Sequence, residues 1–339
     1  MQPTTSPYRT SAIASRRAKR FVAQATLTAC AVTMLAAPGA ASAADVLIAP
    51  DPAVDEVTAL DKTVVWVSGK FGNQVLMQRS PSGVIARVTG APGAASYRTI
   101  DLGHDRKGRL VLTYQRCSNS SCKTFLDNLS GTRASYRHLT LTRCSLTTAP
   151  AVWRTRLAYG LMCRKPNKQI DDKRSGLYVK TGTASPKRLR SPQEAVKFGI
   201  SNISAVDLRG TRVAAIVADV YEYAFTQSVR GTGLHSLRVA SSEGDSGEHA
   251  TGLALGGSGV MWALTDAEHA GDPNQAIIWS VPISCREIER LINPAGPNQA
   301  DGFLATDLAV DGSRLYLVVP GTGIVTHTFA PEGACVPLT

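Results

Sequence analysis

Short apolar runs recur along the chain, each just after a polar or glycine-containing turn. The clearest example is Val206–Asp219, VDLRGTRVAAIVAD, which predicts two short strands joined by a tight turn at Arg209-Gly210. Equivalent runs are VVWVS (Val64–Ser68), LVLTY (Leu110–Tyr114), LAYGL (Leu157–Leu161), VAAIV (Val213–Val217), VMWAL (Val260–Leu264) and LYLVV (Leu315–Val319). Their starts lie 46, 47, 56, 47 and 55 residues apart. Before each turn sits another strand candidate: Glu56–Leu60, Thr99–Leu102, Ala149–Trp153, Ser204–Leu208, Thr251–Leu255 and Leu304–Leu308. A third comes after each pair: Gln74–Arg79, Lys123–Leu129, Gly176–Lys180, Leu234–Ala240, Ala276–Pro282 and Gly323–Phe329. Val84–Val88 and Tyr136–Leu141 supply a fourth in the early units.

The middle strands are apolar on both alternating sides. In VVWVS, Val64 and Trp66 point one way, Val65 and Val67 the other. A strand apolar on both faces must be covered on both. The middle strand of a propeller blade, packed between two neighbouring blades, meets that condition. The pattern therefore predicts an all-β, six-bladed β-propeller of four-stranded antiparallel blades. The sixth unit stops after its third strand, and Asp45–Ala49 (DVLIA) stands unpaired near the start. That N-terminal strand is expected to complete the last blade and close the ring. Period and strand pattern resemble β-propeller repeat proteins of the TolB-like and WD-repeat type, over residues 45–339. No recurrent GH…WD signature or aspartate box is present, so the resemblance implies a fold and assigns no site residue. The structural alternative is a pair of β-sandwich domains.

Helical signals are sparse. Ser191-Pro192-Gln193-Glu194, with Gly199 as a stop, predicts one short helix. Ser284–Ile292 fits either a helix or the fourth strand of the fifth unit.

The first 43 residues stand apart. Arg16, Arg17, Lys19 and Arg20 precede an apolar run, Phe21–Ala37, and then Ala41-Ser42-Ala43. This order is that of a secretory signal peptide, cleaved after Ala43, leaving one propeller domain over 44–339. Leu27-Thr28-Ala29-Cys30 offers a second route, a lipid anchor at Cys30. The run is short for a membrane span and ends in Pro38-Gly39. Removing it lowers the net charge from +11 to +6, a mild excess that does not point to nucleic acid.

Six cysteines remain after cleavage at Ala43, as suits an oxidising compartment. Cys117 and Cys122 bracket one short loop. Cys144 and Cys163 fall at the same end of the third unit's strands. Cys285 and Cys335 come after the third strands of adjacent units. These three pairings are the expected disulfides.

Candidate chemistry gathers in the connections from second to third strands. Tyr221, Tyr223 and Phe225 with Arg230 form an aromatic group beside a guanidinium, suited to sugar stacking or a protein contact. Lys168, Asp171, Asp172, Lys173 and Arg174 form a mixed-charge loop. Asp266, Glu268, His269 and Asp272 offer oxygen ligands, but at no recognised metal-loop spacing, so no metal is expected. Asp101, Asp207 and Asp307 recur in first strands, and Arg109, Arg212 and Arg314 before second strands. Each Asp is expected to pair across its own hairpin with its Arg. There is no GxSxG elbow and no GxGxxG between strand and helix, so neither a serine nucleophile nor a nucleotide cofactor is expected. The function these features imply is a secreted, monomeric, non-enzymatic binding or scaffold protein, without cofactor. Its partner is an extracellular protein or polysaccharide. A glycan hydrolase or lyase is the alternative, because paired carboxylates from distant blades leave no local motif.

Overall fold

A computed structural model describes residues 46–93, 95–118, 121–129, 133–135, 139, 141–192, 202–218, 221–241, 249–257, 259–269, 272–281, 290–292 and 305–328. The expected signal peptide, Cys30, Cys285, Cys335 and most of the expected 191–199 helix lie outside these residues. Among the described residues the protein is all-β, without a helix.

The repeat units fold as antiparallel sheets, mostly four-stranded. The first unit holds β2 (Val54–Leu60), β3 (Thr63–Ser68), β4 (Val75–Arg79) and β5 (Ile85–Arg87). The second holds β6 (Ser96–His104), β7 (Leu110–Ser118), β8 (Ser121–Asp127) and β9 (Arg133–Ser135). In the third, β10 (Cys144–Leu146) and β11 (Ala151–Trp153) share one partner, β12 (Arg156–Cys163), followed by β13 (Gly176–Thr181) and β14 (Lys187–Arg188). The fourth holds β15 (Asn202–Arg209), β16 (Arg212–Ala218), β17 (Tyr221–Ser228) and β18 (His235–Ser241). The fifth holds β19 (His249–Leu255), β20 (Met261–His269), β21 (Asp272–Val281) and β22 (Arg290–Ile292). The sixth holds β23 (Asp307–Asp311), β24 (Arg314–Val319) and β25 (Gly323–Thr328). Its fourth strand is β1 (Val46–Ala49), antiparallel to β25. One parallel bridge, His104 to Trp153, joins the second and third units into a single sheet. Gly103 makes this approach possible, since a Cβ there would meet the Val152 carbonyl.

The two-faced apolar pattern has the expected cause. Val65 and Val67 pack with Leu112 and Tyr114 of the second unit. Val64 and Trp66, on the other side of the same strand, pack with Tyr316 and Val318 of the sixth. Further cores join the third unit to the fourth, the fourth to the fifth and the fifth to the sixth. Leu139 packs with Tyr159 and Leu161, linking second to third.

Three expectations need correction. The third strand of the fourth unit is β17, so Leu234–Ala240 corresponds to the fourth strand, β18. The connections expected after the second strands of the fourth and fifth units are mostly strand. Only 219–220 and 270–271 separate β16 from β17 and β20 from β21. The first strand of the sixth unit begins at Asp307, not Leu304. Arg290–Ile292 pairs with β21, as the strand option for that segment required.

Candidate binding site at the inner strands

The first strands, β2, β6, β11, β15, β19 and β23, neighbour one another in that order, and β23 neighbours β2. Between them lies a cavity of about 420 Å³. Its walls come from the beginnings of these strands, and in the third unit from Thr148 and Ala149, where the first strand is interrupted.

Four first strands break register at the same place. The irregularities fall at Asp55, at Thr99–Ile100, at Ser204 and at Thr251. A bulge leaves one residue unpaired and re-aims its side chain. Here each bulge sets a short polar residue in the cavity wall. Thr148 and Thr306 occupy the matching positions in the other two units, so Asp55, Thr99, Thr148, Ser204, Thr251 and Thr306 all line it. Thr99 Oγ1 accepts the Ala149 amide at 2.7 Å, and Thr148 Oγ1 that of Gly160 at 3.1 Å, so each keeps its own proton to donate.

Carboxyls lie at and behind this ring. Asp307 Oδ2 accepts the Val57 amide at 2.7 Å, and burial pushes its carboxyl up to about 8. Glu56 Oε1 accepts the Ile100 amide at 2.7 Å. Loss of water, then the nearby Asp307, holds Glu56 well above the usual range. Asp207 Oδ2 accepts the Leu255 amide at 2.7 Å. Asp101, 8% exposed, feels the backbone amides of Val152 and Leu102, while its Oδ2 is buried without a hydrogen-bond partner. Burial, then the charge of Asp207, raises its carboxyl well above the usual range, against the pull of Arg209.

Arg209, at the far end of β15, lies beyond the cavity. Its Nη2 donates to the Ala59 carbonyl of the first unit at 2.9 Å, and its Nε is 3.7 Å from Asp207 Oδ1. The guanidinium thus spans from the fourth unit to the first. At the opposite, open end, Arg98 lines the cavity and stands over the ring of Phe71, 5.2 Å from its centroid. Phe71 is 62% exposed.

The residues singled out in the sequence scatter. Tyr221, Tyr223 and Phe225 lie in a strand rather than a loop, with Phe225 fully buried and Tyr223 5% exposed against the third unit. Tyr221 begins β17 and Arg230 lies past its far end, roughly 30 Å away at strand rise. The guanidinium over Tyr221 is that of Arg238, at 4.1 Å. Lys168, Asp172 and Lys173 are exposed in a true loop, 164–175, with Asp171 and Arg174 half-buried. Arg174 Nη2 donates to the Thr142 carbonyl at 2.9 Å, tying that loop down. Asp266, Glu268, His269 and Asp272 sit on the β20–β21 hairpin, His269 opposite Asp272. Among the described residues no cluster of three His, Cys, Asp or Glu could hold a metal. Cys117–Cys122 and Cys144–Cys163 are disulfides, as expected. The Asp–Arg hairpin pairs do not form. Register sets Asp207 opposite Ala214 and Arg212 opposite Arg209, while Arg109 pairs with Asp105 at 2.6 Å.

The ring of short polar residues escaped the sequence reading. Its trace was a Ser or Thr opening most first strands, as in Thr99-Ile100-Asp101, Ser204-Ala205-Val206 and Thr306-Asp307-Leu308.

No protein-family model matches the chain, and no curated protein does. Solved structures similar to it include virginiamycin B lyase from Staphylococcus aureus, 12% identical. That match covers 85% of this chain and 99% of the lyase, with a TM-score of 0.47. A gluconolactonase from Xanthomonas campestris is 12% identical, over 84% of this chain and 89% of its own, TM-score 0.49. Aleuria aurantia lectin is 9% identical, over 84% and 97%, TM-score 0.45. These are β-propeller proteins, and the chain resembles them. The cavity is defined by this chain's own strand order and side chains.

Proposed function

We propose that this protein is an exported six-bladed β-propeller, closed by its N-terminal strand, that acts at the cell exterior as a non-enzymatic binding module. The cavity at its axis is the ligand site. The observation that carries this reading is the origin of the cavity walls. All six units contribute to them, and four do so through a bulge at the same place. Shared cores from unit to unit, including sixth to first, support the closed ring. The basic, apolar and small-residue order of residues 1–43 and the two disulfides support export. A macromolecular partner would also meet the 164–175 loop, which by strand order emerges on the open side of the cavity.

The carboxyls favour binding over turnover. Glu56, Asp207 and Asp307 each have an oxygen committed to a backbone amide of the next unit, which makes them clasps. Hydrolysis by the two-carboxylate route takes two carboxyls free to act on the substrate. One observation favours the hydrolase or lyase alternative: Asp101, its carboxyl shifted by burial toward the protonated form and with an unpartnered oxygen, has features of a general acid.

Both readings are tested on protein purified from the producing culture. Soluble polysaccharides are titrated calorimetrically and reducing ends are assayed in parallel. Saturable binding without product release is the expected result, and turnover would replace the binding reading with the hydrolytic one. An N-terminus at Ala44 supports free secretion, and an acylated Cys30 replaces it with anchoring.

A further inference from the structure

We propose that the axial cavity takes a saccharide: a sugar ring stacked on Phe71 at the rim, its hydroxyls held by the ring of short polar side chains and by Asp101 beneath. This rests on the reading of the cavity as a ligand site and adds the chemistry of the ligand.

Hydroxyl side chains donate and accept together, so a ring of them complements other hydroxyls better than it complements a charge. Five of the six short polar residues are Ser or Thr: Thr99, Thr148, Ser204, Thr251 and Thr306. Three of them, Thr99, Ser204 and Thr251, sit at bulges, and a bulge sacrifices ladder bonds to re-aim a side chain.

Two buried polar atoms of residues that line the cavity have no hydrogen-bond partner. Asp101 Oδ2 is buried and unbonded in a residue 8% exposed, and Ser204 Oγ is likewise buried and unbonded. Buried polar atoms are as a rule hydrogen-bonded, so such exceptions call for a missing partner. Burial favours the protonated form of Asp101, which both donates and accepts, as a sugar hydroxyl does. A cation would instead need the ionised form. Arg209, already close to Asp207, places positive charge beyond this wall and further disfavours a cation.

The apolar contact comes from Phe71, which stands beside the cavity and outside its lining. Phe71 presents an exposed ring, and Arg98 connects it to the cavity wall. An aromatic face suits the C–H face of a pyranose, while the guanidinium reaches equatorial oxygens. A cavity of about 420 Å³ lies in the size range of small-molecule sites.

The experiment is a glycan array of neutral, amino and uronic sugars probed with the purified protein. Calorimetric titrations with the best array sugar, spermidine and Ca2+ accompany it. Phe71→Ala, Asp101→Asn and the surface control Ile85→Thr are compared, with circular dichroism as the folding check. Expected are saturable binding of a sugar, weakening by about tenfold or more in Phe71→Ala and in Asp101→Asn, and no change in Ile85→Thr. Phe71 is exposed, so its variant remains informative if Asp101→Asn folds poorly. Sugar binding insensitive to Phe71→Ala would overturn the placement. Spermidine or Ca2+ binding lost in Asp101→Asn, without sugar binding, would overturn the ligand class and leave the cavity reading standing. No binding by any probe would overturn both.

Discussion

Asp307 Oδ2 accepts the backbone amide of Val57 at 2.7 Å, across 250 residues of chain. The two residues belong to neighbouring first strands that share no hydrogen-bonded ladder, so the carboxyl does the work of a missing rung. The device recurs. Asp207 takes the amide of Leu255 at 2.7 Å, Glu56 that of Ile100 at 2.7 Å, and Thr58 Oγ1 that of Leu102 at 3.1 Å. Because several of these clasps are carboxyls in a dry setting, they make stability depend on pH.

The direction comes from proton counts. Asp307 titrates near 8 in the folded protein and near 4 when unfolded. Between those values the folded state holds the extra proton, so stability falls as pH rises from about 4 to about 8, then levels. Glu56 and Asp101 are raised in the same direction and add to the trend. The melting temperature is expected to be higher at pH 5 than at pH 8.5. Asp307→Asn keeps an acceptor for Val57 and is expected to flatten the profile. Equal pH slopes in wild type and variant would count against this account.

Arg209→Met removes the ion pair with Asp207 and the bond to Ala59, and strands a carboxyl that is 5% exposed. Breaking a buried pair from one side costs about 3–5 kcal/mol, measurable by urea unfolding. Adding Asp207→Asn to that variant removes the stranded charge and should recover part of the loss. A double variant no better than the single one would show that the pair is not the cause.

Gly323 has φ +128°, and a Cβ there would lie 2.0 Å from the Ala49 carbonyl. Gly323→Ala must therefore push β1 off β25. We expect a loss of about 1–3 kcal/mol. Limited proteolysis should then cut near residues 46–53 well before any other site. Unchanged resistance there would contradict the closure of this sheet by β1.

The two disulfides differ in the loop they close. Cys144–Cys163 spans 19 residues and Cys117–Cys122 spans 5. Chain entropy makes the longer one the more stabilising, at about 3 kcal/mol. Paired alanine replacements compared by thermal denaturation should rank them in that order.

Most of the fold was legible because a strand covered on both faces has a simple signature. VVWVS and LYLVV could not be solvent-facing hairpins, and their spacing fixed the units. The cysteine pairs within the described residues were legible from which strand ends they flank. The candidate site was harder. Tyr221, Tyr223 and Phe225 look alike as an exposed aromatic loop or as one side of a strand, and only pairing with β16 and β18 decides. Asp101 and Asp307 stood out by recurrence, yet Asp307 clasps a backbone amide of the next unit and Asp101 leaves an oxygen open, and no local spacing reveals either. Bulges leave almost no trace, since a single Ser or Thr at the start of a strand is common.

The pairing of Val46 with Thr326 has a kinetic consequence. Its rung joins residues 280 apart in the chain, so the last sheet cannot be finished until the sequence between them is free to move. Contacts of such long range carry a large loop-closure cost and slow the final step. Until β1 arrives, β25 is an open edge within reach of whatever binds open edges.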